Sequence, residues 1–552
     1  MAVQGGDDAR LDDRERSDWT IRDEDARRYV RGAVDATVAL VESTYGPAGM
    51  EKLVATSDRQ NRADLRRIDD AGRLFDAIET GDGFSHPIAA LFVDGVSGMR
   101  SRVHDGTTTA VLLAGALIDE GFDLVERGLA PSSVVVGYGI ARAQAGAVLD
   151  ELARPVDADN EATLANVAET TMTTTLAPAV RRELSTRVAS TVGRLADAGD
   201  GWPNTDHAKV LTASGVDTAT HDGLVLSRPA DADPNGWGVT APITDATVAM
   251  LDREIDFEET ATVIDGGEGV RLTSPEAADR YRSELGARRE AAAERLVRNG
   301  VDVLVSLERL DEPIVDTFER AGLAVVDKAT YPKEDVYRLA EATGGTVVSK
   351  LGDLTTDRLG RAGHVERRDV GDEVWTVFED CPGSVFTIVT GGETTAEARR
   401  REGALDDALE TAATAAIDGQ VLPGATAPAA AVATAIRETG TTVTGREQLA
   451  VGAFADAVER LPAVFARNAG HDPVTAVTDL RTAHADGRSS VGLNPETGTT
   501  MDAWEAGVVE PRRVFSQAIE TAAAIVEQLL TIDAVLYPNV ELTGYTSRPE
   551  RE

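Results

Sequence analysis

Hydrophobic periodicity changes character twice along this chain, and the change restricts the architecture more than any single motif does. From about Arg22 to Leu53, and again from Pro87 to Ala153, apolar residues recur at helical spacing. Within the second stretch, Thr107–Glu120 (TTTAVLLAGALIDE) is apolar on nearly all sides, which places that helix in an interior. Between 217 and 238 the composition turns to Gly, Pro, Asp and Asn, the usual make-up of a crossing between domains. Short β-like runs then alternate with helices: TVAMLD, a helix over Ser274–Asn299, VDVLVSL, a helix, LAVVDKA, a helix and GTVVS. Ser274-Pro275-Glu276 opens the long helix with an N-cap, a proline at the first helical position and an acid in the first turn. After about Glu366 come VWTVFE and SVFTIVTGG, and helix dominates from Thr394 to Leu536. Strand and helix alternation implies an α/β domain with a partly parallel sheet. The chain thus reads helical, α/β, helical, and a helical domain made from both ends implies that the two ends build one site together.

A length of 552 residues exceeds what one core organises, so two to four domains are expected. The net charge is −39, with acids spread along the whole chain, and among 55 basic residues only Lys52, Lys209, Lys328, Lys333 and Lys350 are lysines. Such self-repulsion opposes compactness in dilute buffer, whereas molar salt shortens the screening length to roughly 3 Å, so the composition reads as halophilic. No Lys/Arg stripe stands out to collect phosphates, which argues against nucleic acid as a partner. Cys381 is alone and forms no internal disulfide, and no apolar run reaches the ~18 residues that a membrane span needs. Met1–Arg16 is polar without an apolar core, neither signal peptide nor anchor. A soluble, cytoplasmic protein with a disordered N-terminal arm is expected. The seven histidines show no metal-ligand spacing.

Three motifs carry chemistry. Asp105-Gly106-Thr107-Thr108-Thr109 precedes the interior helix, where free N–H groups and the helix dipole favour an anion. Gly106 permits close backbone approach, the threonine hydroxyls add donors, and Asp105 is placed to hold Mg²⁺, a hard cation that prefers carboxylate and phosphate oxygens. A capped turn accounts for the same residues. Thr44-Tyr45-Gly46-Pro47-Ala48-Gly49 is a second turn able to bend around a nucleotide, and equally a helix stop. Gly403–Leu409 (GALDDAL) sets paired acids among apolar residues; one carboxylate there could orient an attacking water, as phosphoryl transfer requires, or the pair is a surface charge pair.

Taken together, the order and spacing resemble the group II (thermosome-like) chaperonins. The residues that carry the resemblance are STYGPAGMEKLV, then SHP followed by sixteen residues and HDGTTTAVLLAG, then TGG, LDDAL, DGQVLPGATA, REQLAVGAFADAVE, NAGHDP, LRTAH, GLNPETG, WEAGVVEP and VFSQAIETAA. It covers about Arg22 to Val535 and is densest from Arg446 to Leu536.

The resemblance implies a multidomain α and α/β chaperonin fold assembled as a double ring. Its divisions would be an arm at 1–21, an equatorial domain from 22–155 and 411–552, an intermediate domain from 156–221 and 366–410, and an apical domain at 222–365. A helical protrusion at about 272–296 would serve as a built-in lid, with a thin apolar face of Ala277, Ala278, Tyr281 and Leu285. It also implies ATP and Mg²⁺ as ligands, K⁺ as a further counter-ion, and unfolded proteins and other chaperonin subunits as partners. Residue by residue, Thr44, Tyr45, Gly46 and Pro47 would line the nucleotide, Asp105 would hold Mg²⁺, and Gly106, Thr107, Thr108 and Thr109 would surround the phosphates. Asp407 would orient the hydrolytic water, with Asp70 as a second catalytic acid inside a lengthened hairpin. Gly424 would approach the nucleotide backbone, with Gly492, Asn494 and Glu510 near base and ribose.

The same pocket departs from the family pattern. Ala48 replaces a lysine, His104 a glycine, Ala425 and Thr426 two glycines, and Thr175 the lysine that senses the terminal phosphate. Losing a lysine from a phosphate site removes charge stabilisation worth several kcal/mol in a transition state. Two functions are therefore expected as alternatives: an ATP-dependent folding chaperonin, or an ATPase-impaired subunit that serves as a structural ring member or a holdase.

Overall fold

The computed structural model describes residues 20–57, 63–79, 86–172, 176–230, 238–257, 275–327, 334–392 and 394–536. The chain forms two compact units, one running through Arg154 and resuming at Val421, the other spanning Pro155–Gln420. The first is mainly helical and built from both ends; the second is α/β, in keeping with the order of periodicities.

The first unit opens with β1 (Thr20–Arg22) and α1 (Asp23–Val41). The helix stops earlier than the periodicity predicts: Gly46, Pro47 and Gly49 break it, and β2 (Lys52–Ser57) pairs antiparallel with β3 (Ala63–Ile68). Leu53, which extended the helical pattern, stands 65% exposed on that strand. Asp69 and Asp70 follow the hairpin rather than lying within it, and lead into α2 (Ala71–Glu79). Next come α3 (Pro87–Val103), α4 (Thr107–Glu126), α5 (Pro131–Leu152) and the two-residue β4 (Arg154–Pro155). As its composition demands, α4 is interior: Ala110, Val111, Leu113, Leu117 and Ile118 have no exposed surface.

The second unit begins with α6 (Glu161–Thr171) and α7 (Pro178–Ala198), followed by β5 (Ala208–Ser214) and β6 (Ala219–Pro229). The stretch expected to be a crossing thus contains an eleven-residue strand, because Leu224, Val225 and Leu226 supply an apolar run that the surrounding Gly, Pro and Asp residues mask. Beyond it lie β7 (Ile243–Leu251), α8 (Pro275–Arg298), β8 (Val303–Ser306), α9 (Glu312–Arg320), β9 (Ala324–Val326), α10 (Glu334–Thr343) and β10 (Val347–Val348). The unit ends with β11 (Gly360–Val370), β12 (Glu373–Glu379), β13 (Phe386–Gly392) and α11 (Thr395–Asp418).

The sheet runs β5-β13-β6-β12-β11-β7-β8-β9, with β10 also on β7. It is parallel at β5–β13 and among β7, β8, β9 and β10, and antiparallel elsewhere. Strand β6 pairs with β13 over Ala219–Asp222 and with β12 over Gly223–Pro229. At the change Gly223 has φ +145°, and a Cβ there would lie 1.8 Å from the Phe378 carbonyl oxygen, so only glycine fits. On α8, Leu285 is buried and Tyr281 partly so; Ser274 and the side chains of Ala277 and Ala278 lie outside the described residues.

The chain re-enters the first unit with β14 (Gln420–Pro423), α12 (Ala427–Gly440), α13 (Glu447–Asn468), α14 (Pro473–Ala485), β15 (Val491–Leu493), β16 (Thr500–Asp502), β17 (Val509–Pro511), α15 (Arg512–Leu530) and β18 (Ala534–Leu536). Strand β18 pairs with β1, Thr20 opposite Leu536. Helix α4 is sandwiched by α13 and α15, and Phe92, Leu113, Leu117, Phe454 and Val526 of the resulting core are at most 1% exposed. Burial of each such side chain contributes about 1.5–3 kcal/mol. That core holds the start of α4 fixed between segments from both chain ends.

Candidate functional site

Helices α2 and α4 begin at one place. The Ala71 N–H donates to Thr108 Oγ1 at 3.1 Å and the Gly72 N–H to Thr107 Oγ1 at 3.3 Å. The threonines of one helix start therefore accept from the first amides of the other, and each keeps a hydroxyl proton to donate. Asp70 caps α2, its Oδ1 accepting from the Arg73 N–H at 2.9 Å. The two helix starts thus meet, with the first three amides of α2 already taken by Thr108, Thr107 and Asp70.

Asp105 stands between two left-handed residues, His104 at φ +58° and Gly106 at φ +78°. A Cβ on Gly106 would meet Val514 Cγ1 at 2.8 Å and Met99 Cε at 2.9 Å, so the close turn needs glycine. The Asp105 carboxylate accepts from the Gly106 N–H at 2.6 Å. Burial, with the neighbouring Asp70 and Asp69 carboxylates adding to it against that hydrogen bond, holds its carboxyl above the usual range. Burial also raises Asp70, against the opposing pull of Arg73. Glu510 is pushed up to about 8 by burial and then by the charge of Asp105. Acids that repel each other in a recess suit a cation. Among the described residues no three His, Cys, Asp or Glu side chains converge to chelate a metal by themselves. Asp105 thus fits an ion that takes most of its ligands from phosphate and water, the habit of Mg²⁺.

The loop after α1 forms one wall. Thr44 is buried with its hydroxyl donated to the Val41 carbonyl at 2.8 Å, and the Gly49 N–H closes a turn on the Gly46 carbonyl at 2.9 Å. Gly46, at φ +84°, lies against Phe465, and Pro47 follows on the partly exposed crest. Tyr45 is hydrogen-bonded to Thr109, and burial together with the charges of Glu510 and Asp105 raises its phenol above the usual range. Asn468 pins this loop, its Nδ2 donating to the carbonyls of Glu42 at 2.9 Å and Tyr45 at 2.8 Å. Sequence reasoning did not assign Asn468 a role; its only signal was its place as the first residue of the NAGHDP motif, at the last position of α13.

Later segments of the chain join the same unit, Leu493 and Tyr45 sharing one apolar cluster with Phe465. Leu422 on β14 pairs with Glu510 on β17, and the Gly424 N–H donates to the Val508 carbonyl at 2.8 Å. The Leu493 N–H donates to the Ala425 carbonyl at 2.9 Å, and Gly492 packs so close that a Cβ would lie 2.3 Å from that oxygen. Asn494 spends its Oδ1 on a turn, accepting from the amides of Glu496 at 2.8 Å and Thr497 at 3.2 Å. Ala425 and Thr426 sit at φ +54° and +67°, and the Thr426 hydroxyl is buried without a hydrogen-bond partner. They keep a backbone made for glycine although neither is glycine.

Residues from both ends of the chain, Thr44–Pro47, Asp70, Asp105–Thr109, Gly424, Gly492, Asn494 and Glu510, thus share the first unit. Asp407 belongs to the second: it is partly exposed on α11, between the fully buried Leu405 and Ala408. Thr175 lies outside the described residues.

The family model described as the TCP-1/cpn60 chaperonin family matches residues 38–539. The chain is similar to the thermosome subunit of Methanopyrus kandleri, 32% identical over 527 residues that cover 93% of this chain and 92% of the relative. It is 33% identical to thermosome subunit 1 of Haloferax volcanii over 522 residues, covering 93% and 89%. With the thermosome subunit alpha of Halobacterium salinarum it shares 31% over 522 residues, covering 93% and 88%.

Proposed function

The chain belongs to the TCP-1/cpn60 chaperonin family, and on that premise we propose that it is an ATP-dependent subunit of a double-ring chaperonin assisting the folding of other proteins. The observation that carries the ATP part of this reading is the meeting of the α2 and α4 N-termini beside the Asp105 carboxylate. Phosphate oxygens would take N–H groups and hydroxyl protons from Gly106 to Thr109. Asp105 would hold Mg²⁺, which when bound neutralises phosphate charge, and molar K⁺ would screen what remains. Gly46, Pro47, Gly424 and Gly492 let the backbone come close to the nucleotide, while Tyr45, Asn494 and Glu510 frame its base and ribose. Asp407 orients the attacking water, with Asp70 as the second acid.

In this reading the first unit is the equatorial domain, and Pro155–Gln420 contains the intermediate and apical domains with α8 as the lid. The protein works in the cytoplasm at high salt, as its net charge of −39 suits, beside other chaperonin subunits of its own or another kind. No described helix is long and apolar enough to cross a membrane.

A second reading is favoured by specific residues. Ala48 and Thr175 leave no lysine where the family has one, and Ala425 and Thr426 strain the loop that would meet the nucleotide. A subunit with little turnover, acting as ring scaffold or holdase, follows from these. ATP hydrolysis in molar KCl with Mg²⁺, on ring-assembled protein, separates the two. The first reading expects turnover that falls at least about 100-fold in Asp407→Ala. Absence of turnover in folded, assembled protein would leave the scaffold.

A further inference from the structure

The NAGHDP motif, residues 468–473, takes no step in the proposed ATP cycle; it forms the turn between α13 and α14. That turn is fixed from within. Gly470 stands at φ +80° just past the helix end, its N–H donates to the Arg467 carbonyl at 3.0 Å, and the His471 N–H donates to the Ala466 carbonyl at 2.9 Å. The pair of bonds is a Schellman closure, which needs the left-handed residue that glycine supplies without steric cost. Asp472 then caps α14, its carboxylate accepting from the Thr475 N–H at 3.1 Å, and Pro473 takes the first helical position. Both helix ends are therefore tied, and the turn between them has little freedom.

Two side chains leave this turn for separate loops of the candidate site. Asn468 donates to the carbonyls of Glu42 and Tyr45 at 2.9 and 2.8 Å, and Arg467 beside it pairs with the Glu42 carboxylate. His471 reaches the turn between β15 and β16, where its Nε2 lies 2.9 Å from the Pro495 carbonyl oxygen. A carbonyl only accepts, so Nε2 carries the proton. The imidazole also packs against Gly498, whose Cβ, if it had one, would lie 2.5 Å from the His471 Cγ. The Gly498 N–H in turn donates to the Asn494 carbonyl at 2.9 Å. Three residues before Asn468, Phe465 meets the Tyr45 ring edge-on with centroids 6.4 Å apart, and shares an apolar cluster with Leu493. The loop that carries Tyr45 and the turn that carries Asn494 thus hang from one short joint, although they come from opposite ends of the chain.

We propose that Asn468 and His471 are positioning residues for the nucleotide, holding the Tyr45 loop and the Asn494 turn in place before the ligand arrives. The proposal rests on the nucleotide reading of this site. A protein whose competent state is only partly populated binds more weakly by that fraction. Losing either hold therefore lowers affinity and leaves the chemistry of bound nucleotide alone.

The test compares ring-assembled wild type with Asn468→Ala, His471→Leu, His471→Asn and His471→Gln in molar KCl, by amide exchange without nucleotide and by titration with ATP and Mg²⁺. Asn468→Ala should speed exchange over residues 44–50 and His471→Leu over residues 494–499, with exchange in α4 unchanged. Each of these two should weaken the apparent ATP affinity about tenfold, while turnover at saturating ATP stays within about twofold of wild type. His471→Gln carries an amide donor at the reach of Nε2 and should return affinity to within about threefold of wild type. His471→Asn, whose amide falls one bond short, should behave as His471→Leu does, and replaces it if the leucine variant does not assemble. Unchanged affinity in Asn468→Ala or in the short His471 variants, unchanged exchange in both loops, or an equal loss in His471→Gln overturns the proposal alone. Wild type that binds no ATP overturns the nucleotide reading and this proposal with it.

Discussion

Three residues beside the candidate nucleotide site carry side chains on backbone shaped for glycine. His104, Ala425 and Thr426 have φ of +58°, +54° and +67°, a region costing an L-residue roughly 1–2 kcal/mol. Thr426 is the most strained in kind, because it is β-branched and its buried hydroxyl finds no partner. Replacing Ala425 or Thr426 with glycine should therefore stabilise the protein by about 1 kcal/mol each, read as a higher denaturation midpoint. Unchanged or lower midpoints would show that the loop has relaxed around its side chains. The contrast is Gly46, where φ is +84° and a Cβ would meet Phe465 Cδ2 at 2.9 Å; the chain has kept glycine there. Ala425 and Thr426 thus hold a backbone that favours glycine without being glycine.

At the scale of elements, the second unit is stitched by a buried ion pair. Lys209 on β5 and Asp335 at the start of α10 are 7% and 1% exposed and paired with each other. The lysine also donates to the Val225 carbonyl of β6 at 2.8 Å, and Arg338 binds the other carboxylate oxygen at 3.0 Å. Burial pulls the ammonium below its usual range against the opposing pull of Asp335. Removing one partner strands a buried charge, so Asp335→Ala should cost about 3–5 kcal/mol. Because solvent ions hardly reach the pair, that loss should be similar in low and molar KCl when denaturation midpoints are compared; a loss that vanishes in salt would place the pair at the surface. Nothing in the sequence announced it, since Lys209 and Asp335 are 126 residues apart and only tertiary packing joins them. Interior α4 and the strand–helix alternation were legible because periodicity reports local burial. The early end of α1 and strand β6 were not: glycine and proline overrode a continuing pattern in one case, and three apolar residues overrode a polar surround in the other. Likewise the DGTTT turn could be read as an anion site, but that its threonines hold the start of α2 depends on how the first unit folds.

For the whole molecule, the dominant quantity is the net charge of −39. Surface pairs such as Arg28 with Glu24 and Asp25 return little individually, so the long-range repulsion among acids is relieved mainly by mobile ions. The denaturation midpoint should rise steadily as KCl is raised from tenths of molar to molar, when the screening length falls from about 10 Å to roughly 3 Å; a flat or falling curve would contradict this. The same charge made nucleic acid an improbable partner from composition alone, whereas composition said nothing of Asp407 and Asp105 standing in different units; the resemblance carried by the motifs implied different domains for them. Strand β6 gives the second unit a mechanical property of its own. Since one uninterrupted backbone serves β13 with its first half and β12 with its second, a twist applied at one end of the sheet reaches the other as torsion of a single bar, without a loop to absorb it. At the change-over stands Gly223, where a Cβ would lie 1.8 Å from the Phe378 carbonyl oxygen, so a side chain at that position would have to part β6 from β12 and uncouple the two ends of the sheet.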